Sequence, residues 1–226
     1  MFKTRSLDKE WMDLGLSHYS LDQYRDCLVQ LNNVGKYLGG DQATFNSLKV
    51  LKKVPKSIAD IGCGGGFITS KLARFYPNAK VTGIDIDKEA ILFANENNKQ
   101  PNCNFFLNET TDYLDKNYDV ISTCLVCHHF TDEQIIAFLK EAYQKANHAI
   151  IINDLQRSAL AWVLFGLISP ILFQNKMITH DGLLSIKKSF TRKDWLNYLQ
   201  EAHIPKNQIT LKWHWAFRWV LTIEKE

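Results

Sequence analysis
The chain has no apolar run long enough to cross a bilayer. Its longest, Ala159 to Phe173, covers about fifteen residues and carries Gly166 and Pro170, against the roughly 20 that a membrane-spanning helix needs. It has no cysteine framework either: Cys27, Cys63, Cys103, Cys124 and Cys127 are odd in number and irregularly spaced, which excludes a disulfide scaffold. The N-terminal residues, Met1 to Asp8, lack the apolar core of a secretion signal. A reducing, cytoplasmic setting is therefore expected, with membrane contact limited to peripheral association. Nor is there a basic stripe: the net charge is +3 and Lys and Arg are scattered, so nothing marks a nucleic-acid partner and a small molecule is expected instead. Repeats, low-complexity tracts and an interdomain linker are absent too. What remains, 46 % hydrophobic and 23 % charged, is the composition of an ordinary folded domain expected to span 1–226.

Two patterns divide the sequence. Over residues 1–53 no β-rich run occurs, and Leu21, Tyr24, Leu28, Leu31, Val34 and Leu38 recur three or four apart, the spacing of a helical cap. From Ser57 short β runs alternate with helical segments: strands at 57–61, 80–84, 104–107, 118–124 and 148–153, helices at 66–75, 88–97 and 132–146. Such alternation predicts βαβ units and a parallel sheet, an α/β fold with its core at 55–155. Residues 156–202 predict a helical insertion: an apolar helix near 158–174, a polar loop over Thr179–Ser185 and a helix at Arg192–Glu201. Because the first of these is apolar on nearly every face, burial is expected for it ahead of pocket lining. Residues 203–226 close the chain with two period-two runs, Ile209–Trp215 and Phe217–Glu224, that can pair as an antiparallel edge.

The first β run leads at once into Gly62-Cys-Gly-Gly-Gly66 and then a helix, a geometry in which glycine lets backbone approach a ligand. Asp85 closes the next strand about twenty residues later, where a carboxylate can accept hydrogen bonds from ribose hydroxyls. A nicotinamide dinucleotide fits less well. The third glycine of G-x-G-x-x-G would fall on Phe67, and Asp60, just before the loop, would face an anionic pyrophosphate. A phosphate-free ligand with an ammonium and a sulfonium makes Asp60 favourable. No Lys-Ser or Lys-Thr pair follows the glycines, which excludes a P-loop.

Ile58-Ala-Asp-Ile-Gly-Cys-Gly-Gly-Gly-Phe67 with Val81-Thr-Gly-Ile-Asp-Ile-Asp87 resembles the class I S-adenosylmethionine-dependent methyltransferases. The resemblance implies a Rossmann-like, mostly parallel seven-stranded sheet of order 3-2-1-4-5-7-6 with strand 7 antiparallel. It implies S-adenosylmethionine as cofactor and S-adenosylhomocysteine as product, held by Asp60, Ile61, Gly62, Cys63, Gly64 and Gly66 around the methionine part and by Asp85 and Ile86 at the ribose. The end of the fourth strand, Cys124, would line the methyl-transfer site. The family's usual Asp after the third strand is missing, and Asn108 or Glu109 stands in its place. Glu10-Trp-Met-Asp13, Val34-Gly-Lys-Tyr-Leu-Gly-Gly40, Asn153-Asp-Leu-Gln-Arg157 and His180-Asp-Gly-Leu-Leu-Ser185 further resemble bacterial methyltransferases that accompany type III polyketide synthases. That resemblance implies a phenolic, resorcinol-like or hydroxypyrone lipid acceptor and O-methylation ahead of C-methylation.

Four further residues are candidates for catalysis: His128, His129, His180 and Asp181. The two adjacent histidines follow the fourth strand at the sheet edge where α/β folds bind ligands, and either can accept a proton or cap the turn. His180 can act as a base oriented by Asp181, or Asp181-Gly182 can form a surface bend. Cys124-Leu-Val-Cys-His128 matches a haem-attachment spacing, yet neither haem nor a metal is expected; the thiols read as small apolar residues. The competing functions are a nicotinamide-dependent oxidoreductase and a non-catalytic binding module.

Overall fold
The computed structural model describes residues 2–15, 17–109, 114 and 116–225. After a 3-10 turn at Trp11–Leu14, helices α1 (Leu21–Tyr37) and α2 (Gly40–Lys49) lead into β1 (Ser57–Ile61), α3 (Phe67–Phe75), β2 (Lys80–Asp85), α4 (Lys88–Asn97) and β3 (Cys103–Leu107). Then come β4 (Tyr118–Cys124), a 3-10 turn at Cys127–His129, α5 (Asp132–Lys145) and β5 (Ala146–Leu155). Helices α6 (Ala159–Leu172), α7 (Lys176–Lys188) and α8 (Arg192–Glu201) precede the hairpin β6 (Ile209–His214) and β7 (Arg218–Glu224). Side chains cut the helices where they start: Ser20 with Gln23, Thr131 with Gln134 and Thr191 with Asp194 form capping boxes, and Asp87 accepts from the Ala90 amide.

The seven strands form one sheet in the order β3-β2-β1-β4-β5-β7-β6, parallel except for β7, which runs antiparallel to both neighbours. Central strands read as continuous apolar runs because helices cover both faces. On one face Ile121, Phe138, Leu139, Ile150, Trp195 and Leu221 pack together; on the other, Leu48, Ile58, Leu72, Val120, Ile151 and Val220 do. Burying each such side chain stabilises the fold by about 1.5–3 kcal/mol. Helix α1 joins α4 and α7 through Leu28, Phe93, Met177 and Ile178, so the N-terminal cap and the insertion share a core. Strand order reverses between β1 and β4, both of which point their carboxyl ends into the crevice where open α/β sheets hold ligands.

Two expectations fail. Thr179–Ser185 is no loop: it is the middle of α7, and Asp181 is 5 % exposed there. Helix α6 is not buried. Only Ala161 and Ser169 are enclosed, while Leu160, Val163, Leu164, Leu167, Ile168, Ile171 and Leu172 stand 37–83 % exposed. Among the described residues no second layer covers the insertion; α6 rests on α7, where Phe165 meets Gly182 so closely that a Cβ there would lie 2.4 Å from the ring.

Candidate active site
The amides of Gly62 and Cys63 donate to the Ile84 carbonyl (2.8 and 3.1 Å), which fastens the loop after β1 to β2. Gly62, Gly64 and Gly66 all adopt positive φ, at 66°, 50° and 73°, but for different reasons. A Cβ at Gly62 would lie 2.3 Å from Val126, and one at Gly66 would lie 2.5 Å from the Phe105 ring. At Gly64 the nearest atom is Leu28 Cδ2 at 3.8 Å, so the protein itself leaves that position open. The Gly64 amide donates to Asp85 Oδ2 (2.7 Å), while Oδ1 of the same carboxylate accepts from the Asp87 amide (2.9 Å).

Asp60, 2 % exposed, accepts the Thr69 hydroxyl at 2.7 Å. Burial, with the charge of Asp85 adding to it and the Thr69 hydrogen bond opposing it, pushes the Asp60 carboxyl up to about 7. Burial also raises Asp85, against the backbone amides that hydrogen-bond it. Neither carboxylate is matched with a cation among the described residues. A ligand carrying positive charge relieves this desolvated pair, and a pyrophosphate would aggravate it. Beside Asp85, Ile86 is 74 % exposed and Glu109 is also open, and the Asn108 amide donates to the Asp85 carbonyl (2.9 Å). Ile61 and Cys63 are buried at the base of the loop. Cys124 ends β4 opposite Asn153, its thiol pushed up to about 12 by burial, and burial raises Cys127 as well. Both are uncharged thiols.

Leu125, at φ 60°, turns the chain sharply out of β4 and into the turn that carries the histidines. His128 is 3 % exposed; its Nδ1 lies 2.7 Å from Asp154 Oδ1, and its amide donates to Oδ2 of the same carboxylate. Burial would raise Asp154, but the charge and hydrogen bond of His128 outweigh it and hold the carboxyl below its usual range. His129 is partly open. Its Nδ1 faces Asp13 (3.2 Å) and its Nε2 faces Glu10 (3.8 Å). Burial works against charge on His129, yet Asp13 and Glu10 win and raise it, while His129 and Lys188 hold Asp13 at about 2 despite its own burial. Glu10, His128 and His129 bring ligand-type atoms within 4.8 Å of one another, a composition found at metal sites. Here the buried Lys188 ammonium, 3.2 Å from Glu10 Oε1, occupies the cationic role.

The same corner holds His180 and Asp181. One helical step apart, they touch directly, Nδ1 to Oδ1 at 2.7 Å, and the imidazole stacks on Trp11 with ring centres 4.0 Å apart. Asp181 also accepts the Trp11 and Met12 amides (2.8 and 3.1 Å), which ties α7 to the N-terminal turn. His128, His129, His180 and Asp181 thus gather around one element, Glu10–Asp13. Glu10, Asp154 and Lys188 are partners that motif reading passed over. Their signal in sequence was faint: Glu10 and Asp154 occur only inside runs quoted for a family likeness, and Lys188 is one of two adjacent lysines.

The fold has counterparts among known proteins. Residues 58–148 match the methyltransferase domain family. The ubiquinone biosynthesis O-methyltransferase of Erwinia tasmaniensis is 26 % identical over 161 residues, 68 % of this chain and 63 % of that protein. A putative methyltransferase of Invertebrate iridescent virus 6 is 30 % identical over 124 residues, 49 % of this chain and 46 % of that one. The chain thus spans less than two thirds of the length of these curated relatives. Among solved structures, the plantazolicin methyltransferase BpumL with S-adenosylhomocysteine and a triazolic desmethylPZN analogue superposes with a TM-score of 0.71 at 20 % identity, covering 95 % of this chain and 93 % of that one. Human N-acetylserotonin methyltransferase with S-adenosylmethionine gives 0.68 at 16 % identity, covering 91 % and 56 %. With its β3-β2-β1-β4-β5-β7-β6 sheet and its match over residues 58–148, the chain has the Rossmann-like fold of the S-adenosylmethionine-dependent methyltransferases.

Proposed function
We propose that the protein is an S-adenosylmethionine-dependent methyltransferase acting on a small, apolar acceptor with an acidic hydroxyl, of the phenol or hydroxypyrone kind, by O-methylation. The observation that carries this reading is a pair of carboxylates, buried Asp60 and half-buried Asp85, on either side of a glycine loop and with no cation beside them among the described residues. Asp60 would attract the ammonium and Asp85, with Ile86 beside it, the ribose, with Gly62, Gly64 and Gly66 admitting the methionine part, Asn108 and Glu109 near the adenine, and Cys124 beside the methyl. When bound, the cofactor supplies an electrophilic methyl on a sulfonium.

The chain's own work is to position the acceptor and take its proton. His180 suits the base: donation from Nδ1 to Asp181 leaves Nε2 as an acceptor, and the ring is partly open to solvent. His129, its charge favoured by Asp13 and Glu10, suits an anionic acceptor oxygen. His128, enclosed and bonded to Asp154, positions the turn that carries His129. Tritium transfer from labelled cofactor to resorcinols and hydroxypyrones tests the reading. His180→Ala is expected to lower kcat about 100-fold with cofactor affinity within about twofold of wild type. Unchanged kcat would remove His180 from the chemistry, and no labelled product from any such acceptor would remove the acceptor class.

Asp60 gives the reading a pH signature. An ammonium is attracted by the ionised carboxyl, which in the free protein loses its charge as pH falls through about 7. S-adenosylhomocysteine affinity should therefore weaken below neutrality, by up to about tenfold per pH unit. Calorimetry on wild type and Asp60→Asn should show this slope only in the wild type; a flat profile in both would contradict the role of Asp60.

A further inference from the structure
Among the described residues, nothing covers the outward side of α6. Leu160, Leu164, Leu167 and Ile171 repeat at three- and four-residue intervals along it, each 37–83 % exposed, with the intervening aliphatics widening the stripe. Scattered surface leucines are normal; a contiguous apolar ridge over an entire helix is not. The helix is too short to cross a bilayer, and no helix among the described residues is long and apolar enough to do so.

Charge selects the occupant. Between Asp154 and Asp181 the sequence contains no acidic residue. Lys176 is exposed just beyond the carboxyl end of α6, and Lys187 lies over the Trp162 ring, 5.1 Å away, near its amino end. The acidic groups that the α6–α7 hairpin carries or touches are engaged: Asp181 is buried and accepts the Trp11 and Met12 amides, Glu10 is buried against Ser185 and Lys188, and Asp26 accepts from Asn175. A second copy docked across a two-fold axis would pack α6 antiparallel on itself and set Lys176 of one copy towards Lys187 of the other, with no carboxylate between Leu155 and His180 to offset them. An apolar ridge flanked by ammonium groups instead matches an anionic lipid surface, aliphatic side chains in the acyl boundary and lysines at the headgroups.

We infer that α6 is a docking ridge for anionic membranes. Through the Phe165–Gly182 contact α6 is locked onto α7, the helix that carries His180 and Asp181, so docking brings that corner to the lipid surface. Its use for collecting an apolar acceptor from the bilayer rests on the methyl-transfer reading; the docking itself does not.

Flotation of the full chain with phosphatidylcholine vesicles, with and without phosphatidylglycerol, tests the inference. Wild type should partition at least about tenfold more strongly into the phosphatidylglycerol vesicles. Leu167→Glu with Ile171→Glu should lose at least about tenfold of that partition, with thermal melting and S-adenosylhomocysteine affinity unchanged. Lys176→Glu with Lys187→Glu should abolish the preference for the anionic lipid. Wild-type flotation by the Leu167/Ile171 variant would overturn the proposal, as would a wild-type dimer by light scattering that this variant converts to monomer while vesicles go unbound. Loss of flotation with intact S-adenosylhomocysteine binding refutes docking alone; absent nucleoside binding with intact flotation refutes the enzymatic reading alone.

Discussion

Gly64→Val is expected to yield a folded protein whose affinity for S-adenosylhomocysteine is reduced by about 100-fold or more. The position separates folding from binding because the protein does not fill it: an added Cβ meets nothing nearer than Leu28 Cδ2, at 3.8 Å. What Gly64 does provide is backbone at φ 50°, with its amide on Asp85. A β-branched residue there costs about 1–3 kcal/mol of strain, a loss of roughly 2–10 °C in Tm for a chain of this size. It also places two methyl groups where the ligand's methionine part must come against the main chain. Gly62→Val and Gly66→Val are poorer probes, since Val126 and Phe105 already stand within 2.5 Å of the new Cβ and the loop itself would be displaced. Calorimetry beside a melting curve decides the matter. A Gly64→Val protein that binds S-adenosylhomocysteine as tightly as wild type would refute a cofactor site at this loop.

The largest effect on stability is expected at Asp154→Ala. This carboxylate is fully enclosed and accepts three hydrogen bonds, from the His128 ring, the His128 amide and the Leu155 amide. Removing it leaves those donors buried without an acceptor, a loss of about 3–5 kcal/mol, which lowers Tm on the order of 10 °C. The pH dependence has a definite sign. Because the native carboxyl titrates below its unfolded value, its contribution is fully present above about pH 4 and disappears as acid protonates the native form. The gap in Tm between wild type and variant should therefore persist from neutrality to mild acid and close only in strong acid. A gap of less than about 2 °C at neutral pH would show that His128 does not depend on this partner.

Most of the scaffold could be read before the fold was known, since its strands carry short β runs that alternate with segments of helical spacing. Strands at Ser57–Ile61 and Tyr118–Cys124 and helices at Lys88–Asn97 and Arg192–Glu201 have the expected ends. The glycine loop was legible for a local reason: glycine density, the carboxylate before it and the one closing β2 all lie within thirty residues. The insertion was not. Thr179, His180, Asp181, Gly182 and Ser185 are weak helix formers that spell a turn, but Asp181 gains two backbone amides from the N-terminal turn and Gly182 admits Phe165, so tertiary contacts override propensity. Helix α6 misled in the opposite direction, because hydrophobicity on every face signals an apolar environment without saying whether protein or lipid supplies it. The network of Glu10, His128, Asp154 and Lys188 was hidden for a third reason. Its members lie as far as 178 positions apart, and no periodicity reports on such contacts.

The loop after β1 is built for a cationic, phosphate-free nucleoside ligand. Titration calorimetry of the wild-type chain with S-adenosylhomocysteine and, separately, with NADH is the direct measurement. One equivalent of the first and none of the second is the predicted result; saturable NADH binding, or no heat from S-adenosylhomocysteine at any concentration, would contradict it.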